Sequence, residues 1–436
     1  MIRSLSDIPP VSIRKNPFKN FRAPDNLEKI PWSDQGYYLE ERPAFYAEPK
    51  FHAGAYYVQE ASSMILELIL KYLDFDKYEI QALDMCAAPG GKSTILSSFL
   101  KNKGVLISNE LVWKRNLILQ ENLSRWGLNN TIITHNSSRD FRSLENVFDL
   151  VLVDAPCSGE GMFRKDSGAI KEWSPGNIDI CVERQKTILS DIAGSLRKGG
   201  VLIYSTCTYN RAENEDQIDE FIDENGFESI QIKNLDQFGI LESKGNNCTF
   251  YRLFPHRLKG EGLSISVLRK TSEHYGKPKK GSKGYNQKII ENQALNIENW
   301  LNENENSKIF QRENEIFSLD INESRLIEKI NKHLKIIKPG THIGDLKGEK
   351  FIPSHSLALN CSISKEVQRL ELSKEDALRV LQKDTSNLTI PDSDYSWFGL
   401  CYEGDIICFA KKVNNRMNIH LPKTFRIRKN IDEYLI

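Results

Sequence analysis

FDLVLVDAPCSGEGMF, residues 148–163, decides the fold. An apolar run ends in Asp154, Pro156 and Cys157, and proline fixes the backbone beside the thiol. A short buried strand with this ending brings the thiol to the point where strand becomes loop, which is where open α/β sheets bind their ligands. GVLIYSTCTYNRAENE, residues 200–215, repeats the pattern with Thr206 and Cys207. LDMCAAPGGKS, residues 83–93, follows a third strand-like run. Three strand ends that converge on one crevice, two of them carrying thiols, point to covalent chemistry by an activated cysteine.

Around these runs, strand and helix patterns alternate. Strands are expected at 80–84, 105–109, 131–134, 148–154 and 201–205, and helices at 92–101, 113–126, 178–197 and 214–224. Such alternation predicts an α/β fold with a mostly parallel sheet and helices on both faces. Residues 248–253 and 263–268 read as a closing antiparallel pair. Residues 59–73 carry apolar positions at helical spacing. Residues 1–55, rich in Pro, Tyr and Phe, read as a short, partly β accessory segment. Residues 271–292 read as a basic Gly/Lys-rich linker and 293–345 as a connecting α/β region. Residues 346–436 read as a small β-rich domain, with a hairpin that turns at Glu403-Gly404.

The chain has 436 residues and no net charge, so overall charge gives no argument for a nucleic-acid partner. Its distribution is uneven. Residues 269–288 hold seven basic side chains and one acid, 411–429 hold seven and none, and 213–228 hold eight acids and no base. Blocks of one sign create local potentials even when the sum vanishes. The eight cysteines include no C-x-x-C spacing, so a structural metal site has no support and none is expected. Free thiols suit a reducing cytoplasm. The first ten residues lack the apolar core of a signal peptide, and no run reaches the roughly 18 apolar residues of a membrane span.

The loop from Cys86 to Lys92 is not a P-loop, because Cys86 stands where that motif needs its first glycine. A loop after the first strand of such a sheet grips a nucleotide-like cofactor with backbone N–H groups at a helix N-terminus. Glu110, at the end of the second strand, can either accept ribose hydroxyls or cap the following helix.

Taken in order, LDMCAAPGGKS, DAPCSGEGMF and STCT resemble the RNA cytosine-5 methyltransferases of the Nol1/Nop2/Sun class. The likeness extends to Tyr57-Val58-Gln59-Glu60 and to Glu121-Asn122 with Arg125 and Gly127. SIRKNPFK (12–19), PSHSLAL (353–359) and the terminal LPKTFRIRK resemble the bacterial, RsmF-like ribosomal-RNA branch with its PUA-like C-terminal half. The resemblance implies a Rossmann-like class I methyltransferase domain over 56–270. It also implies a shortened N-terminal RNA-binding segment that lacks the usual leading helix before Ser12, and a PUA-like RNA-binding domain over 346–436.

The resemblance further implies S-adenosylmethionine as methyl donor, held by Cys86, Ala87, Ala88, Pro89, Gly90, Gly91, Lys92, Glu110 and Arg115, with Asp154 near the methionine end. Cys207 is the implied nucleophile, Cys157 assists product release, and Asp154 stabilises charge on the ring. Arg164 and Lys165 are expected to hold substrate beside the same crevice. Ser137 stands where many relatives carry an adenine-contacting Asp, so Ser137 or Asn136 takes that role or donor affinity falls. Carbon 5 of cytosine is too weak a nucleophile by itself; a thiolate that adds at carbon 6 makes it enamine-like. One group that adds and one that aids elimination are therefore both useful. The implied partner is RNA, ribosomal or transfer, acted on by a monomer. A non-catalytic RNA-binding assembly factor is the alternative from another class, and the intact Cys207, Cys157 and Asp154 argue against it. DNA enzymes of related chemistry place their nucleophile in the Pro-Cys loop, whereas the Thr-Cys step is the RNA form.

Overall fold

The computed structural model describes Ser4 and residues 7–73, 75, 79–272, 284–292, 295, 297–302, 306–322, 324–414 and 416–434. Half of the basic linker, with Lys277, Lys279, Lys280 and Lys283, lies outside the described residues.

A small antiparallel sheet opens the chain, in the order β2-β1-β3, from β1 (Val11–Lys15), β2 (Gly36–Leu39) and β3 (Tyr56–Val58). Helices α1 (Pro49–His52) and α2 (Ile65–Leu73) flank β3 in sequence. The central sheet follows. Its parallel strands are β4 (Ile80–Asp84), β5 (Gly104–Asn109), β6 (Thr131–Thr134), β7 (Phe148–Asp154) and β8 (Leu196–Thr206), ordered 6-5-4-7-8. Helices α3 (Gly91–Leu100), α4 (Trp113–Trp126), α5 (Ser167–Glu172), α6 (Pro175–Ile192) and α7 (Glu215–Asn225) lie between or after these strands. The short β9 (Phe227–Ser229) pairs with β12 (Leu263–Lys270), and β12 adds antiparallel to β8; β11 (Thr249–Leu253) and β10 (Leu241–Lys244) extend the sheet beyond it. Phe250 faces Ser266 in the pair expected from the sequence.

Alternation along the strands explains why both faces are covered. Leu83, Val151 and Val153 join a core with Leu189 and Ile192 of α6 and Phe221 of α7. Their neighbours Ala82, Leu150 and Leu152 join another with Ile65 and Ile69 of α2 and Leu96 of α3. Successive strand residues point to opposite faces, so a strand buried on both sides reads as one unbroken apolar run. Each fully buried Leu or Val contributes about 1.5–3 kcal/mol relative to exposure.

A third sheet is built from β13 (Ile290–Glu291), β14 (Ser307–Arg312), β15 (Glu315–Asp320), β17 (Thr341–Lys347) and β18 (Lys350–Pro353). Helix α8 (Arg325–Asn331) leads into β16 (Ile336–Lys338), which pairs antiparallel with β6 and so closes the edge of the central sheet. Two differences from the sequence expectation follow. The expected division at 345/346 falls inside β17, and the connecting region supplies a strand to the central sheet. Neither was legible, because β16 is only three residues long and lacks a periodic signal.

The last sheet comprises β19 (Arg369–Glu371), β20 (Trp397–Tyr402), β21 (Asp405–Val413) and β22 (Arg416–His420). Helices α9 (His355–Ala358) and α10 (Lys374–Leu381) belong to the same half. The β20–β21 hairpin turns at Glu403-Gly404, both at positive φ. No helix among the described residues is long and apolar enough to cross a membrane.

Candidate active site

Three strand ends meet as the sequence reading expects. Cys157 follows β7 and Cys207 follows β8, and their Sγ atoms lie 3.0 Å apart. The Cys207 backbone N–H also points to the Cys157 sulfur, at 3.3 Å. The hydrogen bond to Cys207, reinforced by burial, pushes the Cys157 thiol well above its ordinary value. Cys157 is thus held as a protonated thiol.

Beside them, Lys92 Nζ contacts an Asp154 carboxylate oxygen at 2.8 Å. Burial disfavours the Lys92 charge, yet Asp154, Asp84 and Cys207 together hold it above the usual lysine range. The other Asp154 oxygen accepts from Ser205 Oγ at 2.7 Å. Cation, carboxylate and two thiols therefore share one partly open corner of the crevice, with the Asp154 side chain 35% exposed.

The loops that carry the cysteines are tied together from below. Glu213, fully buried, accepts from Ser158 N–H (3.0 Å), Gln185 Nε2 (2.8 Å) and Asn210 Nδ2 (2.7 Å), and from the Ser158 hydroxyl. Arg252 Nη2 contacts both Glu215 carboxylate oxygens at 2.6 Å in a buried site, while its Nη1 donates to the Thr208 carbonyl. Gly161 N–H donates to the Cys207 carbonyl at 2.7 Å, and a Cβ at position 161 would stand 2.9 Å from that oxygen. Glycine there lets the Pro-Cys loop approach the Thr-Cys loop. The sequence reading counted Glu213 and Glu215 only as members of an acidic block. Their position directly after the Thr-Cys step was the available signal.

The first loop wraps the top of β4. Gly90, at positive φ, stands at the N-cap of α3 without a side-chain cap, a conformation that excludes ordinary side chains. Asp84 accepts from Ser93 Oγ at 2.6 Å through one oxygen, and its other oxygen is buried without a partner. Burial pushes the Asp84 carboxyl up to about 7, against the Ser93 hydrogen bond. Ala87 and Ala88 are buried, Pro89 is exposed, Cys86 is half-buried, and burial pushes its thiol up. Glu110 is buried and its two oxygens have different neighbours. One oxygen caps Val112 N–H at 2.8 Å, and the other stands 3.8 Å from Arg115. Arg115 in turn donates to the Ala88 carbonyl at 2.6 Å.

Three of the expected residues have partners within the protein. Arg164 is not a free phosphate ligand: it is buried, paired with Glu261 at 3.1 Å and donating to the Gly260 carbonyl at 2.5 Å. Lys165 stands 3.8 Å from the same carboxylate and is the more exposed of the two. Asn136 is spent on structure, since its amide exchanges hydrogen bonds with the Lys335 backbone and anchors the segment before β16. The Ser137 hydroxyl and N–H both bond Asp140, capping a short helical turn. A lone serine after a strand carries no sequence mark that separates a helix cap from a ligand contact.

The outlying motif residues form a brace. Asn122 donates to the Pro89 carbonyl at 2.8 Å and to Tyr57 Oη at 3.2 Å, so α4 and β3 both grip the first loop. The Arg125 guanidinium lies over Phe51 at 4.8 Å and over Phe425 at 5.2 Å. Gly127 accepts from Cys361 N–H at 2.8 Å. In the second basic block, Arg416, Lys423, Arg426, Arg428 and Lys429 are exposed. Among the described residues no cluster of metal ligands occurs.

This sheet order, with a glycine-rich first loop, an acid ending the second strand and a crevice at the strand ends, defines a Rossmann-like methyltransferase. Comparison with known proteins narrows the class. Residues 71–269 match the family profile described as 16S rRNA methyltransferase RsmB/F. Residues 1–61 match the N-terminal domain of 16S rRNA methyltransferase RsmF, 297–360 its first C-terminal domain, and 367–427 its PUA domain. A relative named ribosomal RNA small subunit methyltransferase F, from Salmonella paratyphi A, is 32% identical over 367 residues, 81% of this chain and 75% of that one. A crystal structure of a methyltransferase homologue from Pyrococcus horikoshii is 28% identical and covers 62% of this chain and 88% of that one, with a TM-score of 0.50. Another, of NSun6 from Pyrococcus horikoshii with SFG, is alike in fold at 21% identity, covering 62% and 93%, with a TM-score of 0.52. The chain belongs to the RsmF family of 16S rRNA methyltransferases.

Proposed function

We propose that this protein transfers a methyl group from S-adenosylmethionine to carbon 5 of a cytosine in small-subunit ribosomal RNA, through a transient bond to Cys207. The pair of sulfurs 3.0 Å apart, beside the Lys92–Asp154 ion pair, carries the reading. When bound, the donor supplies an electrophilic methyl group on a sulfonium. The residues present fit such a group. Gly90 shapes a turn at a helix N-terminus, Asp84 leaves a buried carboxylate oxygen unmet, and Glu110 ends the next strand. Cys86 to Lys92, Glu110 and Arg115 would hold it.

The target base must be unpaired or flipped for its ring face to reach a thiol. Lys92 places positive charge near Cys207 and favours its thiolate. Asp154 accepts from the exocyclic amino group and orients the ring. The Cys207 sulfur adds at carbon 6 and carbon 5 takes the methyl group. Water then takes the proton from carbon 5, its electron pair restores the 5,6 double bond, and the carbon 6–sulfur bond breaks to release Cys207 as a thiolate. Cys157, with its proton retained, donates a hydrogen bond to that departing sulfur. Lys165 and the exposed basic residues of the C-terminal sheet take RNA phosphates. The enzyme works in the cytoplasm as a monomer.

Methyl-labelled donor and small-subunit RNA test this directly. Bisulfite sequencing should find a new 5-methylcytosine with the wild-type protein and none with Cys207→Ala. Full methylation by Cys207→Ala, or methyl groups elsewhere than carbon 5, would overturn the reading.

A further inference from the structure

Beside the first loop lies a second cavity, of about 320 Å³, between the N-terminal sheet and α4. Its walls include Phe45, Phe51, Tyr57, Arg42, Asn122 and Arg125, and neither active-site cysteine lines it. Phe45 and Phe51 lie with ring centroids 6.2 Å apart and tilted 41°. Arg42 is exposed at the rim, its guanidinium 5.6 Å over Phe45. Arg125 lies deeper. Its Nη1 donates to Asn122 Oδ1 at 2.8 Å, while its Nε–H is buried and meets no acceptor. No carboxylate lines the cavity. Asn122 and Tyr57 connect this wall to the Pro89 carbonyl of the first loop.

Structural bracing accounts for Asn122, which spends its amide on Pro89 and Tyr57. It does not account for an open space walled by aromatic faces, two guanidinium groups and an unmet buried donor. Aromatic faces take a flat ring, the unmet N–H needs a ring acceptor or carbonyl, and a rim arginine on a cavity that no carboxylate lines favours an anion. Those three demands together describe a nucleotide.

We propose that this cavity binds an unpaired nucleobase of the RNA substrate that flanks the reacting cytosine, with its phosphate against Arg42. The proposal rests on the RNA reading above. It adds a second point of attachment, on the N-terminal sheet, that fixes the strand in register with Cys207. Stacking serves any base, so the pocket selects an unpaired strand rather than a sequence.

Photo-crosslinking of short single-stranded RNA carrying a photoreactive base should label the segment from Arg42 to Tyr57 in the full-length protein. Phe45→Ala should weaken that RNA about tenfold, and Phe45→Tyr should restore it. Arg42→Ala, a surface change that spares folding, should lower the salt dependence of binding by about 0.7 in log–log slope. Donor affinity should be unchanged in both variants. A crosslink absent from this segment, or wild-type affinity and salt slope in both variants, overturns the proposal, and binding of a protein side chain there instead would give that result. If the variants weaken RNA binding but the wild type methylates no RNA, the methyltransferase reading falls and the pocket stands. If methylation runs while the variants bind as wild type, the pocket alone falls.

Discussion

Acidification should loosen the junction between the N-terminal segment, α4 and the C-terminal half. His52 and His355 both face Arg125 there, and both are buried. Burial lowers His52 to about 4, against a hydrogen bond with the Tyr46 carbonyl, and lowers His355 to about 3; Arg125 pushes both further down. Neither ring nitrogen of His355 has a hydrogen-bond partner, and its ring packs edge-on against Phe425 at 4.4 Å. Each histidine is neutral when folded and gains a proton near pH 6.5 when unfolded. Between those values the unfolded chain binds more protons, so stability is present above pH 6.5 and is lost as pH falls toward the folded values. At pH 5.0 each histidine has cost about 2 kcal/mol relative to pH 7.5, or about 4 kcal/mol together. Urea unfolding at several pH values reads this out, and His355→Leu isolates one share, because carboxylate titrations are common to both proteins. The variant should lose about 2 kcal/mol less than wild type between pH 7.5 and 5.0. An identical pH dependence in the two proteins would refute the assignment.

Lys92→Met removes the cation between Asp154 and the thiol pair; turnover should fall about a hundredfold or more, and the pH profile of what remains should move to higher pH. An unmoved profile would mean that Lys92 does not act on the thiolate. Gly161→Ala pushes against the Cys207 carbonyl, and a displacement of even ~1 Å should cost about a hundredfold in kcat with donor affinity kept; unchanged kcat would show that the two loops do not set the sulfur geometry. Neutralising Lys277, Lys279, Lys280 and Lys283 together should flatten the salt slope of RNA binding by up to ~4 units. An unchanged slope would return that segment to a solvated linker.

The central sheet was legible because five strands buried on both faces leave continuous apolar runs, and three of them end in Asp84, Asn109 or Asp154. Cys157 and Cys207 were legible for the same reason: each follows such a run directly. What the sequence hid was whatever depends on contacts distant in the chain. Arg164 reads as an exposed cation until Glu261, 97 residues later, pairs with it. Asn136 reads as a loop polar residue until Lys335 takes both ends of its amide. Glu213 and Glu215 read as solvated acids, yet both are fully buried and hold the cysteine loops. Burial of a charged group is decided by its partner, and a partner far along the chain leaves no local pattern.

Intact mass measurement of Cys157→Ala after incubation with donor and small-subunit RNA probes the covalent step itself. Impaired release should leave a protein–RNA species that survives SDS, with the attached nucleotide mapped to the peptide holding Thr206 and Cys207. An attachment at any other residue, or a Cys157→Ala protein in which Cys207→Ala still yields the same species, would contradict the assignment of the nucleophile.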